Sequence, residues 1–576
     1  MHLNNKLSKE IIHRIFKDTK EKTEVKIIDN VVYLNGNVSS YDQALRAGFI
    51  AASFSKLRGV VSNLHYHSEK KIIFPEKVSD RLNGMEFDVV IVGAGVIGAA
   101  IARELSKFNL SIAVLERHSD IGVDQTAHNN GMIHPAFLTK HGTLKWEMNY
   151  KGNAMFDKVT AELDVPFKRI GTLIVAENLK EELMLFALNG LVKWHRDPPP
   201  KVLNRGELDK VEPGLATHIK KGLLVWNTGI ISPFELTIAY MENAIRNGVK
   251  LFLETSVNGV YTENNFVKAV KTTQGTIKTH CLINAAGLYA DKIAEFAGDR
   301  FFTIHPRRGA TIIFDKTYQP MKTVLGSFSM RENRNPHSKG GGFIPTIDGN
   351  LQLGPTACEV EDREDTATTF RDINELLDKF APILSRLKPE YPKASKDKII
   401  TYFAGARAAT FKEDFIIEPS QKIKGLIHVA GIQSPGLASA PAIAERVYEI
   451  IRNEVSPDVK TEFNPVRKRF KPFSEMDENE ITKRTKEDSQ YGHIICRCEH
   501  VSEKEIVNVL HDDIPVESID AIKRRTRAGM GRCQGGFCLP RVMAIIEQEK
   551  GLNKERITKN GEKSFILNGK TKRGEK

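Results

Sequence analysis

The chain has 576 residues, 41% of them hydrophobic and 27% charged, with 42 Gly and 24 Pro. That composition belongs to a multi-domain globular protein and excludes collagen-like and wholly disordered readings. The formal net charge is +12, but residues 551–576 are disproportionately basic and lack interleaved aromatics, so they read as a solvated tail and not as a nucleic-acid surface. The main apolar run, from Val89 to Ala102, is interrupted by glycines and is shorter than the ~20 residues of a membrane helix. No signal-peptide pattern opens the chain. The expectation is a cytoplasmic protein, with any membrane association made through a partner.

In chain order, residues 8–20 carry Ile11, Ile12, Ile15 and Phe16 at helical spacing. An alternating strand from Val25, the run VVYLNGNV, a helix near 41–56 and the strand GVVSNLHYH follow. This α-β-β-α-β order over residues 1–70 resembles the BON module, which implies an accessory docking role. Residues 71–85 read as a linker. Residues 86–455 then alternate strand and helix in the manner of a discontinuous α/β core with an inserted α+β substrate domain. The insertion includes the helix LKWEMNYKGNAMFDKVTAEL and the strand GTLIVA. The charged, Pro-containing stretch 456–490 reads as a second linker, 491–549 as a compact cysteine-bearing module, and 550–576 as the basic tail.

Gly93, Gly95 and Gly98 form G-x-G-x-x-G directly after the strand FDVVIV and before a helix, and Glu116 ends the next strand. The first glycine permits a tight turn, the second lets pyrophosphate approach the backbone, the third allows close helix packing, and the acid suits ribose hydroxyls. A Rossmann-like dinucleotide site is predicted. The segment RHSDIGVDQTAHNNGMIHPAF then resembles the flavin-contacting segment of the D-amino-acid-oxidase-like superfamily, as do LINAAGLYAD (282–291) and HVAGIQSPGLASAPAIAERV (428–447). The resemblance implies FAD, with Thr126, Asn130, Gly131, Gly287, Gly436 and Leu437 added to the cofactor contacts. Gly436 and Leu437 open a helix whose N–H groups could stabilise charge on a reduced ring.

Cys496 and Cys498 form C-x-C, and Cys533 and Cys538 form C-x4-C. Four thiolates suit an iron–sulfur cluster or zinc. The one-residue gap differs from the usual C-x2-C of structural zinc. With CRCE and TRAGMGRCQG, it resembles the bacterioferritin-associated-ferredoxin-like [2Fe-2S] module. Zinc and a degenerate thiol site are the alternatives, while Cys281 and Cys358 read as structural.

Taken together, residues 86–549 resemble the large subunit of anaerobic glycerol-3-phosphate dehydrogenase and related FAD-dependent 2-hydroxyacid dehydrogenases. The matching words include GGFIPTIDGNLQLGPTACEVEDREDTATT (341–369), FAGARAA (403–409) and DFIIE (414–418). The added amino-terminal module is a departure, as is Ser232, where relatives often carry an acid. The resemblance implies oxidation of a small anionic secondary alcohol, glycerol 3-phosphate first and L-2-hydroxyglutarate or another 2-hydroxyacid second. Electrons would leave through the cluster toward an accepting protein or partner subunit. An amine or imino-acid oxidoreductase and a non-catalytic electron-transfer subunit are the remaining alternatives. The resemblance makes Arg407 and Arg308 candidate substrate clamps, since they stand where relatives direct cations at an anionic substrate and a guanidinium fork matches phosphate or carboxylate; interdomain ion pairing is the competing role for each. His134 is the candidate acceptor of the alcohol proton, against a structural histidine.

Overall fold

The computed structural model describes residues 2–67, 70, 72–327, 342–389, 396–455 and 457–569. Residues 570–576 of the expected tail lie outside that set. At its centre, five parallel strands run in the spatial order Lys250–Phe252, Ile112–Leu115, Glu86–Val92, Gly275–Asn284 and Leu426–Ala430. The words VVIV, IAVL and LIHVA are nearly continuous apolar runs because both faces of this sheet are covered. Helices Val96–Leu105, Pro233–Arg246 and Gly436–Val455 pack into one core with them through Ala99, Leu236 and Ile443. The antiparallel strands Val257–Glu263 and Phe266–Thr272 extend the sheet beside Gly275–Asn284.

The intervening segments build a second lobe. Ile304–Phe314 pairs antiparallel with Ile399–Thr410 along almost its whole length, and Leu351–Gly354 and Gly342–Pro345 complete that sheet. A smaller sheet joins Thr172–Ala176, Lys221–Val225, Lys201–Leu203 and Val324–Ser327. The amino-terminal helix His2–Thr19, strands Glu24–Ile28 and Val31–Asn37, helix Tyr41–Ala52 and strand Gly59–His65 form a three-stranded unit. Phe411, just past the long strand, enters its core beside Ile11 and Leu45. Gly48 leaves the space that the Phe411 ring fills.

The cysteine module contains helices Glu503–Leu510, Ile519–Thr526 and Leu539–Lys550 around Ile506, Ile522 and Ile546. Two segments expected to be loose are not. The second linker is strapped down by a buried pair, Arg467 Nε to Glu242 Oε2 at 2.5 Å. It also holds the helix Glu478–Glu487, which buries no residue and so shows no apolar period. The tail, expected to be solvated, folds back on the module instead. Ile557 is buried in the module's core, Thr558 bridges Ser518, and Gly561 lies against Ser119. A few apolar anchors among many outward charges suffice for this, and composition alone hides them.

Candidate active site

A cavity of about 1360 Å³ runs between the two lobes. It exceeds the roughly 300–1,000 Å³ of ordinary small-ligand pockets, as a dinucleotide with a substrate beside it requires. Gly93, Gly95, Glu116, Thr126, Asn130, His134, Gly287, Arg407, Gly436 and Leu437 all line it. At its nucleotide end, Gly93 adopts φ +101°, and a Cβ there would meet the Ala285 carbonyl oxygen at 2.6 Å. A Cβ at Gly98 would collide with the Gly93 carbonyl, so this glycine sets how closely helix and turn approach, away from the cavity itself.

Glu116 is buried and closes the turn onto its own strand. Its carboxylate accepts from Ala94 N at 2.9 Å and His118 N at 3.0 Å. Burial pushes its pKa upward. Thr126 Oγ1 accepts the Val96 N–H at 3.1 Å in the first turn of the helix. Asn130 Oδ1 accepts from Met132 N at 3.2 Å. Gly131 is a correction to the expected contacts, because it is not among the lining residues. Its φ of +64° and missing Cβ instead admit the Ile231 carbonyl.

Arg407 and Arg307 face one another across the paired long strands. Arg307 is almost fully buried and neutralised, with Nε 2.5 Å from Glu359 and Nη2 2.5 Å from Glu413. Arg407 donates from Nη2 to the Thr356 carbonyl at 2.9 Å and, among the described residues, forms no ion pair with a carboxylate. Burial, and then the Arg307 charge, lower its pKa to about 10, so it remains a cation at neutral pH. Its guanidinium lies over Gly309, where any Cβ would strike it. Arg308, the other expected clamp, is a second correction. It does not line the cavity, and its Nη1 is held by Asp365 at 2.9 Å with Asp372 at 3.4 Å from Nη2. Successive strand residues point to opposite faces, which separates Arg308 from Arg407.

His134 Nε2 lies 3.4 Å from Ser434 Oγ, and Ser434 lines the cavity just before the helix opened by Gly436. Residues not singled out from sequence also converge here. Gln125 donates to the Ile432 carbonyl at 2.8 Å and accepts from Ala408 N at 2.9 Å, joining the flavin segment to the segment 428–447 and to the strand Ile399–Thr410. Lys145 donates from Nζ to the Glu413 carbonyl at 2.5 Å, with its pKa lowered by burial. Gln433 Nε2 donates to Glu413 at 2.7 Å. Lys145, Glu413 and Gln433 all line the cavity. A lysine in the first turn of a helix, where the dipole disfavours a cation, was the signal the sequence offered for the first of these.

The four cysteines fall into two pairs. Cys498 Sγ lies 3.5 Å from Cys533 Sγ, and Cys496 is hydrogen-bonded to Cys538, which holds the Cys496 thiol below the usual thiol range. Among the described residues no three His, Cys, Asp or Glu side chains converge as on a single metal ion. Two thiol pairs, one per iron, fit a two-iron cluster better than one tetrahedral zinc.

Comparison with known proteins agrees with this geometry. The family described as DAO, FAD dependent oxidoreductase, matches residues 88–450, and the BFD-like [2Fe-2S] binding domain matches 494–548. A glycerol 3-phosphate dehydrogenase of Caloramator mitchellensis is 41% identical over 487 residues, 84% of this chain and 99% of that protein. A glycerol 3-phosphate oxidase of Mycoplasma genitalium is 30% identical, covering 66% of this chain and 97% of its own. The solved, FAD-bound L-alpha-glycerophosphate oxidase of Mycoplasma pneumoniae superposes with a TM-score of 0.59 at 27% identity, over 66% of this chain and 98% of that one.

A glycine-turn cradle between two lobes, joined to a four-thiol module, defines a flavin- and iron–sulfur-dependent oxidoreductase. The chain belongs to the DAO family of FAD-dependent oxidoreductases. It is an enzyme of the glycerol-3-phosphate dehydrogenase type, with FAD and a [2Fe-2S] cluster as its cofactors.

Proposed function

We propose that the protein dehydrogenates sn-glycerol 3-phosphate to dihydroxyacetone phosphate and passes the electrons out through its cluster to an acceptor protein. The observation that carries this reading is Arg407, a cavity-lining guanidinium that has no carboxylate partner among the described residues. Such a fork takes two oxygens of a phosphate. Gly309 beneath it and the Thr356 carbonyl beside it fix its position, so the substrate's anionic end is held and its carbinol carbon presented at a set depth. His134 would hold the hydroxyl proton at Nε2, next to Ser434 Oγ. Lys145 and Gln433, bonded to either side of Glu413, would keep that wall rigid. FAD, when bound along the glycine turn, Glu116 and the Gly436 helix, supplies the two-electron acceptor.

The test is anaerobic mixing of the purified protein with glycerol 3-phosphate, watching the flavin absorbance. Rapid bleaching by this substrate, with none by L-2-hydroxyglutarate, supports the reading. Bleaching by the hydroxyacid alone would move the substrate to that class, and bleaching by an amino acid alone would make the protein an amine or imino-acid oxidoreductase.

A further inference from the structure

The cysteine module has two unlike edges. On one, Glu499 Oε2 lies 2.9 Å from Lys316 Nζ, Arg527 Nη1 2.6 Å from Asp348 and Arg532 Nη2 3.2 Å from Asp315. These pairs fasten the cluster loops to residues that follow the strands Ile304–Phe314 and Gly342–Pro345, which line the cavity at Thr311 and Ile344. That edge faces the second lobe. The other edge is open. Arg497, between two ligand cysteines, Phe537, immediately before the fourth, and Arg541 are all exposed, Phe537 at 83%.

Folding does not account for this open edge. A phenylalanine left in water contributes nothing to the module's core. Arg541 stands in the first turn of Leu539–Lys550, where the helix dipole disfavours a cation, and no acid in that turn offsets it. The nearby acid Glu499 is turned inward, only 4% exposed, and shared by Lys316 and Arg527. What remains is an exposed aromatic just before the fourth cysteine, an exposed arginine in the helix turn that follows it and another between the first two cysteines, the residue types most enriched where interfaces gain their affinity.

We propose that this edge docks a small acidic one-electron carrier protein of the ferredoxin type. The inference rests on the dehydrogenase reading above. Oxidation of one secondary alcohol to a ketone releases two electrons and two protons, so each turnover reduces two carrier molecules by one electron apiece and gives the protons to solvent. The positive rim steers the acidic carrier, and Phe537 supplies the dry contact beside the cluster.

The experiment uses the holoprotein and a small acidic [2Fe-2S] ferredoxin of the higher-potential Rieske type, because a secondary alcohol cannot reduce a low-potential plant-type one. Measured are its affinity at low and high salt, its reduction by glycerol 3-phosphate, flavin bleaching, and the cluster midpoint potential. Arg541→Glu and Phe537→Ala are compared with the parent. The expected result is affinity that falls steeply with salt, weakens about tenfold or more in either variant, and leaves bleaching and potential unchanged. Arg541→Glu relieves the dipole conflict, so loss of folding does not confuse its result. Parental affinity in both variants, or affinity indifferent to salt, would overturn the proposal. So would a shifted potential with equally slowed reduction of a small dye, since the arginines would then be offsetting the cluster's own negative charge. Failure of the flavin to bleach would instead sink the substrate assignment, and the ferredoxin affinities would still decide the docking surface.

Discussion

The Asp120 carboxylate, just beyond the second strand of the dinucleotide fold, receives Arg525 Nη2 at 2.8 Å from the cysteine module. Arg524 Nη2 reaches the same carboxylate at 2.6 Å, and Asp120 is 2% exposed. One buried anion thus holds two cations across the boundary between flavin lobe and cluster module. Asp120→Asn leaves both guanidinium groups without their charge partner, and breaking a buried pair in this way costs about 3–5 kcal/mol. The expected outcome is a lower melting temperature together with faster proteolytic release of the cysteine module.

The same pair makes the boundary acid-sensitive. Burial alone would raise the Asp120 pKa, but Arg525 and Arg524 outweigh it and hold the carboxyl at about 2. A depressed folded-state pKa contributes stability that is fully present above the unfolded value near 3.8 and is lost as pH falls through about 2. By linkage that contribution is about 2 kcal/mol. Denaturant midpoints measured between pH 5 and pH 2 should fall more steeply for the parent than for Asp120→Asn. Parallel curves would show that this pair does not carry the acid response.

The thiol pairing predicts that Cys533→Ser, which removes one partner of Cys498, eliminates the visible iron–sulfur bands and leaves bound FAD in place. The parent should contain about two irons per chain. Stoichiometric zinc without iron would overturn the two-pair arrangement.

Gly98→Ala tests the cradle. Its new methyl would strike the Gly93 carbonyl, and an overpacking cost of about 1–3 kcal/mol falls on the turn that meets the pyrophosphate. FAD affinity, read by fluorescence on reconstitution, should weaken by about one to two orders of magnitude while the cluster spectrum persists. Gly190→Ala is the control. It lies in the helix Leu179–Trp194 with nothing within 4 Å of its Cβ position, so alanine there should stabilise by up to about 1 kcal/mol.

What sequence reveals here follows the range of the interaction. The glycine turn and Glu116 are local patterns whose spacing is itself the chemistry, whereas the cysteines pair across their two motifs, Cys498 with Cys533 35 residues on. The choice between Arg308 and Arg407 depends instead on strand register and on carboxylates 57 and 64 residues away. Nothing in HPRRGA or FAGARAA tells that Arg308 meets Asp365 while Arg407 faces the cavity. Gln125 is invisible for the same reason, since its partners lie 283 and 307 residues on. The tail misleads for a different reason. Ile557 and Gly561 are sparse among lysines, yet one fills a core and the other fits against Ser119.

Arg407 gives the sharpest test of function. If it clamps the phosphate, Arg407→Ala removes a charge-assisted pair that positions the reacting carbon, a loss of roughly 2–5 kcal/mol, or about 30- to 4,000-fold in kcat/KM. Bound FAD should be unaffected, because Glu116 and the glycine turn lie in other segments. Arg407→Lys should rescue only in part, since an ammonium cannot reproduce the two-pronged fork. Gly309→Ala should mimic the loss without touching the charge, because its methyl displaces the guanidinium. Glycerol, which has no anionic end, separates the two roles of this residue. A clamp predicts a large loss for the phosphate ester and little change for glycerol. Equal losses for both, or loss of FAD along with activity, would make Arg407 a residue that holds the lobes together, and Lys145, the buried cation on the same cavity wall, would become the next residue to substitute.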